Sequence, residues 1–279
     1  MIKLIIMKSR FFILCAVVFT TLCFSCKKEE KPVVDNETQS ALDNVKSQEA
    51  VMRTFSDINQ YGINEDGIKS AKLDSCPLIT ISSIDTVFPK TLTIDFGTVG
   101  CQGYDGKFRQ GKLTVVFSNH WLNNRINGTY AEATCDNYIV DGQKLEGVFI
   151  VTYNGLNSSN GPTYNIKATN AKLTLLTGKN ISWNSNETVD WIAGYDNLNL
   201  DDDVILISGS SSGVTSEGTS YTMNITKPLK KDNSCKYITE GTIELTPEKL
   251  NTRTVDFGDG TCDSNATVTI LGVSVNISF

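Results

Sequence analysis

Apolar residues at every second position, cut at short intervals by turn dipeptides, run through most of this 279-residue chain. Leu113, Val115 and Phe117 alternate with polar neighbours, as do Phe149, Val151 and Tyr153, then Ala171, Leu173 and Leu175. Val204 to Ile207 follows, then Tyr221, Met223 and Ile225, and finally Val273, Val275, Ile277 and Phe279. A strand sends successive side chains to opposite faces, so this period of two means sheets with one apolar and one wet face. Asp105-Gly106, Asn127-Gly128, Asp141-Gly142, Asn160-Gly161 and Leu271-Gly272 are the turns between them. The spacing predicts an all-β fold of about a dozen mainly antiparallel strands, an elongated sandwich or a curved sheet.

The exception is Ser40 to Gln60, where Leu42, Val45, Met52, Phe55 and Ile58 recur at helical spacing. One amphipathic helix is expected here, laying a narrow apolar stripe across a sheet.

Two hairpins carry the cysteines. Ile79 to Asp85 and Thr91 to Gly97 are strand-like runs about a turn containing Pro89, and Cys76 and Cys101 lie at their open mouth. Tyr237 to Leu245 and Thr252 to Gly258 repeat the arrangement about Pro247, with Cys235 and Cys262 at the mouth. Antiparallel pairing centred on each turn brings the members of each pair close enough to bridge. Both units also share a six-residue step from Asp to Cys, in Asp95-Phe96-Gly97 to Cys101 and Asp256-Phe257-Gly258 to Cys262. Cys135 is left over among acidic neighbours and reads as a small apolar residue in a strand, without the positive partner that makes a thiol reactive.

The first 25 residues are of another kind. Lys3, Lys8 and Arg10 precede an apolar run, Phe11 to Phe24, too short for a comfortable membrane span, and small Ser25 precedes Cys26. This is the pattern of a lipoprotein export signal, cut before Cys26, whose sulfur then carries diacylglycerol. Lys28, Glu29 and Glu30 follow at once and resemble the surface-export signal of Bacteroidetes lipoproteins. Signal, helix and repeated Asp-Phe-Gly-x3-Cys hairpin together resemble a group of uncharacterised Bacteroidetes surface lipoproteins. The resemblance implies an outer-membrane, lipid-anchored protein facing the medium. It implies no chemistry. The expected organisation is a signal peptide at 1–25, a lipidated tether at 26–39, helix and connector at 40–72, and a β domain at 73–279.

Three of the 25 basic residues and none of the 31 acidic ones lie in the signal, which leaves the remainder at a formal charge of −9. That balance argues against nucleic acid and against a polybasic membrane patch, so the acyl chains must provide the membrane attachment.

Nothing points to catalysis. The one histidine, His120, sits in Asn119-His120-Trp121 with no nucleophile motif. No cofactor or metal is expected. Asp196, Asp201, Asp202 and Asp203, with Asn197 and Asn199, read as a solvated acidic loop before Val204; hard-oxygen ligation of calcium is the other reading, although the spacing fits no EF-hand. Asp85-Thr86-Val87 resembles a Bacteroidetes O-glycosylation site at Thr86. The best binding candidate is Trp183 to Tyr195, where Trp183, Trp191 and Tyr195 lie among amides and carboxylates, the materials of a sugar platform; Trp191 as a core residue is the rival reading. The whole reads as a non-enzymatic surface module for adhesion, glycan capture or envelope assembly, with a glycan or surface protein as partner. The alternative is a periplasm-facing carrier, which needs an unfilled apolar cavity for a lipid or other apolar ligand.

Overall fold

The computed structural model describes residues 35–64, 76–82, 87–122, 124–197 and 202–279. The expectations for Cys26, Lys28, Glu29, Glu30 and Thr86, and for the signal and most of the tether, fall outside them. Asp35–Phe279 forms one compact unit, so helix and sheet belong together.

The chain is a single helix, α1 (Gln39–Gly62), followed by a continuous meander. Its strands are β1 (Leu78–Ile81), β2 (Lys90–Asp95), β3 (Cys101–Gln102), β4 (Phe108–Phe117), β5 (Tyr130–Val140), β6 (Gln143–Leu156) and β7 (Pro162–Thr174). There follow β8 (Asn180–Ala193), β9 (Val204–Val214), β10 (Ser220–Asp232), β11 (Ile238–Pro247), β12 (Arg253–Asp259), β13 (Asn265–Ile270) and β14 (Val273–Ser278). All fourteen join one antiparallel sheet in chain order, with β3 a short side branch on β4. The sheet is open rather than closed into a barrel.

The second layer is α1 itself. Residues of β4, β5, β7, β8, β9 and β12 all touch it, and a sheet that meets one helix from strands so far apart must curl around it. The expected stripe is therefore too narrow. Beyond Val45, Val51, Phe55 and Ile58, the sheet also covers Ser40, Asp43, Asn44, Ser47, Gln48, Thr54 and Asp57. What reaches solvent is the narrow stripe, at Leu42, Lys46, Glu49, Arg53, Ser56 and Gln60. Polar residues tolerate this burial because each of several meets a hydrogen-bonding partner on the sheet, as described below.

Both disulfides form, Cys76–Cys101 and Cys235–Cys262, and Cys135 is free. The first hairpin has a different register from the one centred on its turn. Ile79 pairs with Ile94 rather than with Gly97, because the chain leaves β2 at Asp95, turns, and presents Cys101 from β3 against Arg109. Gly100 has φ +85°, and a Cβ there would lie 2.5 Å from the Arg109 carbonyl oxygen, so this turn requires glycine. The repeated motif has one geometry in both copies. The Gly97 N–H donates to Asp95 Oδ1 at 2.8 Å and the Gly258 N–H to Asp256 Oδ1 at 2.9 Å, while Phe96 and Phe257 are buried.

Candidate functional site

Two of the places where polar chemistry collects are a set of buried contacts between α1 and the sheet, and the solvent face of β7 to β10. Only the second is accessible to a ligand.

The buried set begins where β4 and β5 meet the C-terminal half of α1. Arg109 Nη2 donates to Asp57 Oδ1 at 2.9 Å, Nη1 to Asp105 Oδ1 at 2.6 Å, and Nε to the Tyr138 hydroxyl at 3.0 Å. The Tyr138 hydroxyl in turn donates a hydrogen bond to Asp57 Oδ2 at 2.6 Å, which closes the ring. Burial pushes the Asp57 carboxyl up, while the Arg109 guanidinium and the Tyr138 hydroxyl oppose it. Burial also works against the Arg109 cation, but Asp105 and Asp57 outweigh it and hold the guanidinium charged. Arg109 and Asp57 are buried, and their ion pair pins the helix to the sheet.

A second guanidinium holds the other end. Arg253 on β12 donates from Nη1 to Glu37 Oε2 at 2.9 Å and to Ser40 Oγ at 3.1 Å, and from Nη2 to Asp35 Oδ2 at 2.9 Å. Burial alone would raise Asp35; hydrogen bonds from the Asn251 and Glu37 backbone and the charge of Arg253 leave it below the usual carboxylate value. Between the two arginines the Ser216 N–H donates to Asp43 Oδ2 at 2.7 Å, and Gln48 Nε2 donates to Glu187 Oε2 at 2.8 Å. Burial pushes Glu187 up to about 7, against hydrogen bonds from Gln48 and Ser185.

The three aromatic residues of the expected sugar platform do not share an exposed surface. Trp183 is 2% exposed and belongs to the core, and neither its indole N–H nor that of Trp191 has a hydrogen-bond partner. Trp191 packs inward, with ring centroids 6.3 Å from Phe55 and 6.5 Å from Tyr164. Tyr195 is half-buried and donates its hydroxyl to the Ser159 carbonyl at 2.9 Å. The reason is phase. Trp183 and Trp191 share the parity of Ile181 and Val189, the inward face of β8.

The outward parity of the same strands carries the accessible polar surface. Asn184 and Asn186 on β8 pair across the ladder with Ser212 and Ser210 on β9, and those with Thr222 and Asn224 on β10; Lys167 on β7 faces Asn186. These residues line a shallow trough of about 620 Å³. Its rim and floor offer amide and hydroxyl groups, donors and acceptors together, with one cation and no acid. Close strand approach accompanies it, since a Cβ on Gly209 would lie 2.4 Å from the Asn186 carbonyl oxygen. Comparison with family models, curated proteins and solved structures returns no match.

The other candidates are accounted for by local structure. His120 is half-buried with its ring 4.8 Å from Phe88. Burial pushes the Cys135 thiol up to about 12, which fits an unreactive residue. Of the acidic loop, Asn199 and Asp201 lie outside the described residues, Asp203 turns inward beside Asn233, and Asp202 accepts from Asn197 at 3.0 Å. Among the described residues no group of three His, Cys, Asp or Glu is placed to hold a metal.

Proposed function

We propose that this chain is a lipid-anchored, outward-facing cell-surface lipoprotein of the Bacteroidetes kind, a non-enzymatic module that captures a hydroxyl-rich ligand of the glycan class. Acylated Cys26 attaches it to the outer membrane, and Lys28, Glu29 and Glu30 direct it outward. The observation that carries the binding reading is the trough on β7 to β10. Its lining matches the alternating donors and acceptors of a sugar chain, and it lies on the face that α1 leaves free. The charged clusters offer no competing site, because Arg109, Arg253 and Asp57 are spent in holding the helix. A carrier would need an empty apolar interior. Here α1, Phe117, Trp121, Tyr164 and Trp191 fill the space between the sheet's inner face and the helix.

The test is a glycan array on the purified protein, followed by titration of the best hit against an Asn184→Ala/Asn186→Ala/Ser210→Ala variant. The reading expects affinity to fall at least about tenfold, since each lost hydrogen bond is worth roughly 0.5–1.5 kcal/mol. Unchanged affinity would remove the trough from the function.

A further inference from the structure

The anchor and the fold meet at a defined place. Asp35 is held at the β11–β12 turn, by the Asn251 N–H at 2.8 Å and by Arg253, so the chain enters the fold at that end of the sheet. Arg253 pairs with Ile270, which puts the β13–β14 turn beside it. Large apolar side chains stand exposed on these two neighbouring turns. Leu271 is 78% exposed, Val273 66% and Leu250 37%. Lys249 is exposed too, but Glu248 lies 3.6 Å away and balances it, so the patch is apolar and locally neutral.

The opposite end of the sheet also bears exposed apolar turns, at Ile126 and Leu156. Exposure therefore does not choose between the ends. Tether length does. Nine residues lead from Cys26 to Asp35, a reach of at most ~32 Å fully extended. The 14-residue β8 separates the two ends by ~48 Å at strand rise. An upright molecule that rested on Leu156 would hold Asp35 beyond the reach of its own anchor.

We propose that Leu250, Leu271 and Val273 form a foot that rests in the headgroup region of the membrane carrying the Cys26 acyl chains, with the strands upright and the trough on β7 to β10 facing sideways into the medium. This rests on the reading of Cys26 as acylated. The foot supplies the second contact that a flexible tether lacks, and apolar turn residues at an interface are the means by which a neutral patch binds lipid.

The test uses full-length acylated protein in vesicles of phosphatidylethanolamine and phosphatidylglycerol that contain doxyl-labelled lipid. Leu271→Cys and Leu156→Cys are each labelled with an environment-sensitive fluorophore, and the unsubstituted protein gives the background from Cys135. The proposal expects the label at 271 to be quenched several-fold more than the label at 156. Equal quenching at the two positions, on protein whose intact mass shows the acyl chains, overturns the foot and leaves the lipoprotein reading standing. Absence of acyl mass on Cys26 overturns both.

Discussion

The two halves of α1 are held by different mixtures of contacts, aromatic packing with one buried ion cluster in the C-terminal half and dispersed hydrogen bonds in the N-terminal half. From Ala50 to Gly62 the helix lies in an aromatic bed. Phe55 meets Tyr164 edge-on at 5.2 Å, Tyr61 meets Phe96 at 6.0 Å, and Trp121 donates its indole N–H to Asn59 at 3.0 Å. From Ser40 to Gln48 the sheet offers Ser211, Ser216 and Glu187, and the contacts are hydrogen bonds. Aromatic packing stabilises by area and tolerates small shifts, whereas hydrogen bonds fix position and cost free energy when left unmade. The C-terminal half thus supplies most of the adhesion. The N-terminal half supplies register along the groove, and an arginine on the sheet holds each end, Arg253 through Asp35 and Glu37 just before the helix and Arg109 through Asp57 on it.

The largest effect is expected from breaking an ion cluster in one direction only. Arg109→Met strands the Asp57 carboxylate in the interior and should destabilise by roughly 3–5 kcal/mol in denaturant melts. Adding Asp57→Leu to that variant removes the orphaned charge and should restore a large part of the loss. A double variant no better than the single one would mean that Arg109 acts by packing.

Phe55→Ala, in the aromatic half, should cost about 3–4 kcal/mol by cavity formation, with no dependence on pH. Glu187→Gln probes the polar half and should do the reverse. Its carboxyl is raised from 4.5 to about 7 by burial, so the folded protein prefers the protonated form. Below the unfolded pKa the group costs nothing. As pH rises from about 4.5 to 7 the unfolded chain ionises first, and stability is lost progressively until both states are ionised. The Gln variant should therefore match the native protein near pH 4 and exceed it by up to about 3 kcal/mol at pH 8. Equal stability at both pH values would place Glu187 in contact with water or a cation. The smallest effect belongs to the outer face, where Asn186→Ala should change stability by less than about 0.5 kcal/mol while weakening ligand binding.

Alternation and turn chemistry in the sequence carry the sheet, and the inner parity reads from it wherever no bulge intervenes; in β5 and β7 bulges switch the buried phase, from Ala133 to Tyr138 and from Ala168 to Ala171. The same parity already marks Trp183 and Trp191 as inward, in phase with Ile181 and Val189, and it marks Arg109 as inward, in phase with Leu113 and Val115. A charged residue on the buried phase is the one local signal of an ion cluster. Its partners are not local. Asp57 lies 52 residues before Arg109, and Asp35 lies 218 before Arg253, and no pattern of period two or 3.6 links them. The helix misleads for a related reason, because Ser40, Asp43, Ser47 and Asp57 look solvent-facing until the strands that satisfy them are in place. The trough is hidden in plain alternation, since Asn, Ser and Thr on the wet phase of four strands form a surface only when registers align Asn186, Ser210 and Asn224.

The most direct test of the central claim is protease shaving of intact cells, with the native protein beside a Glu29→Ala/Glu30→Ala variant. A lipid-anchored protein exported through Lys28, Glu29 and Glu30 should be released into the supernatant when native and protected when substituted. Protection of both on intact cells would place the trough and its ligand inside the envelope and contradict the surface-capture reading.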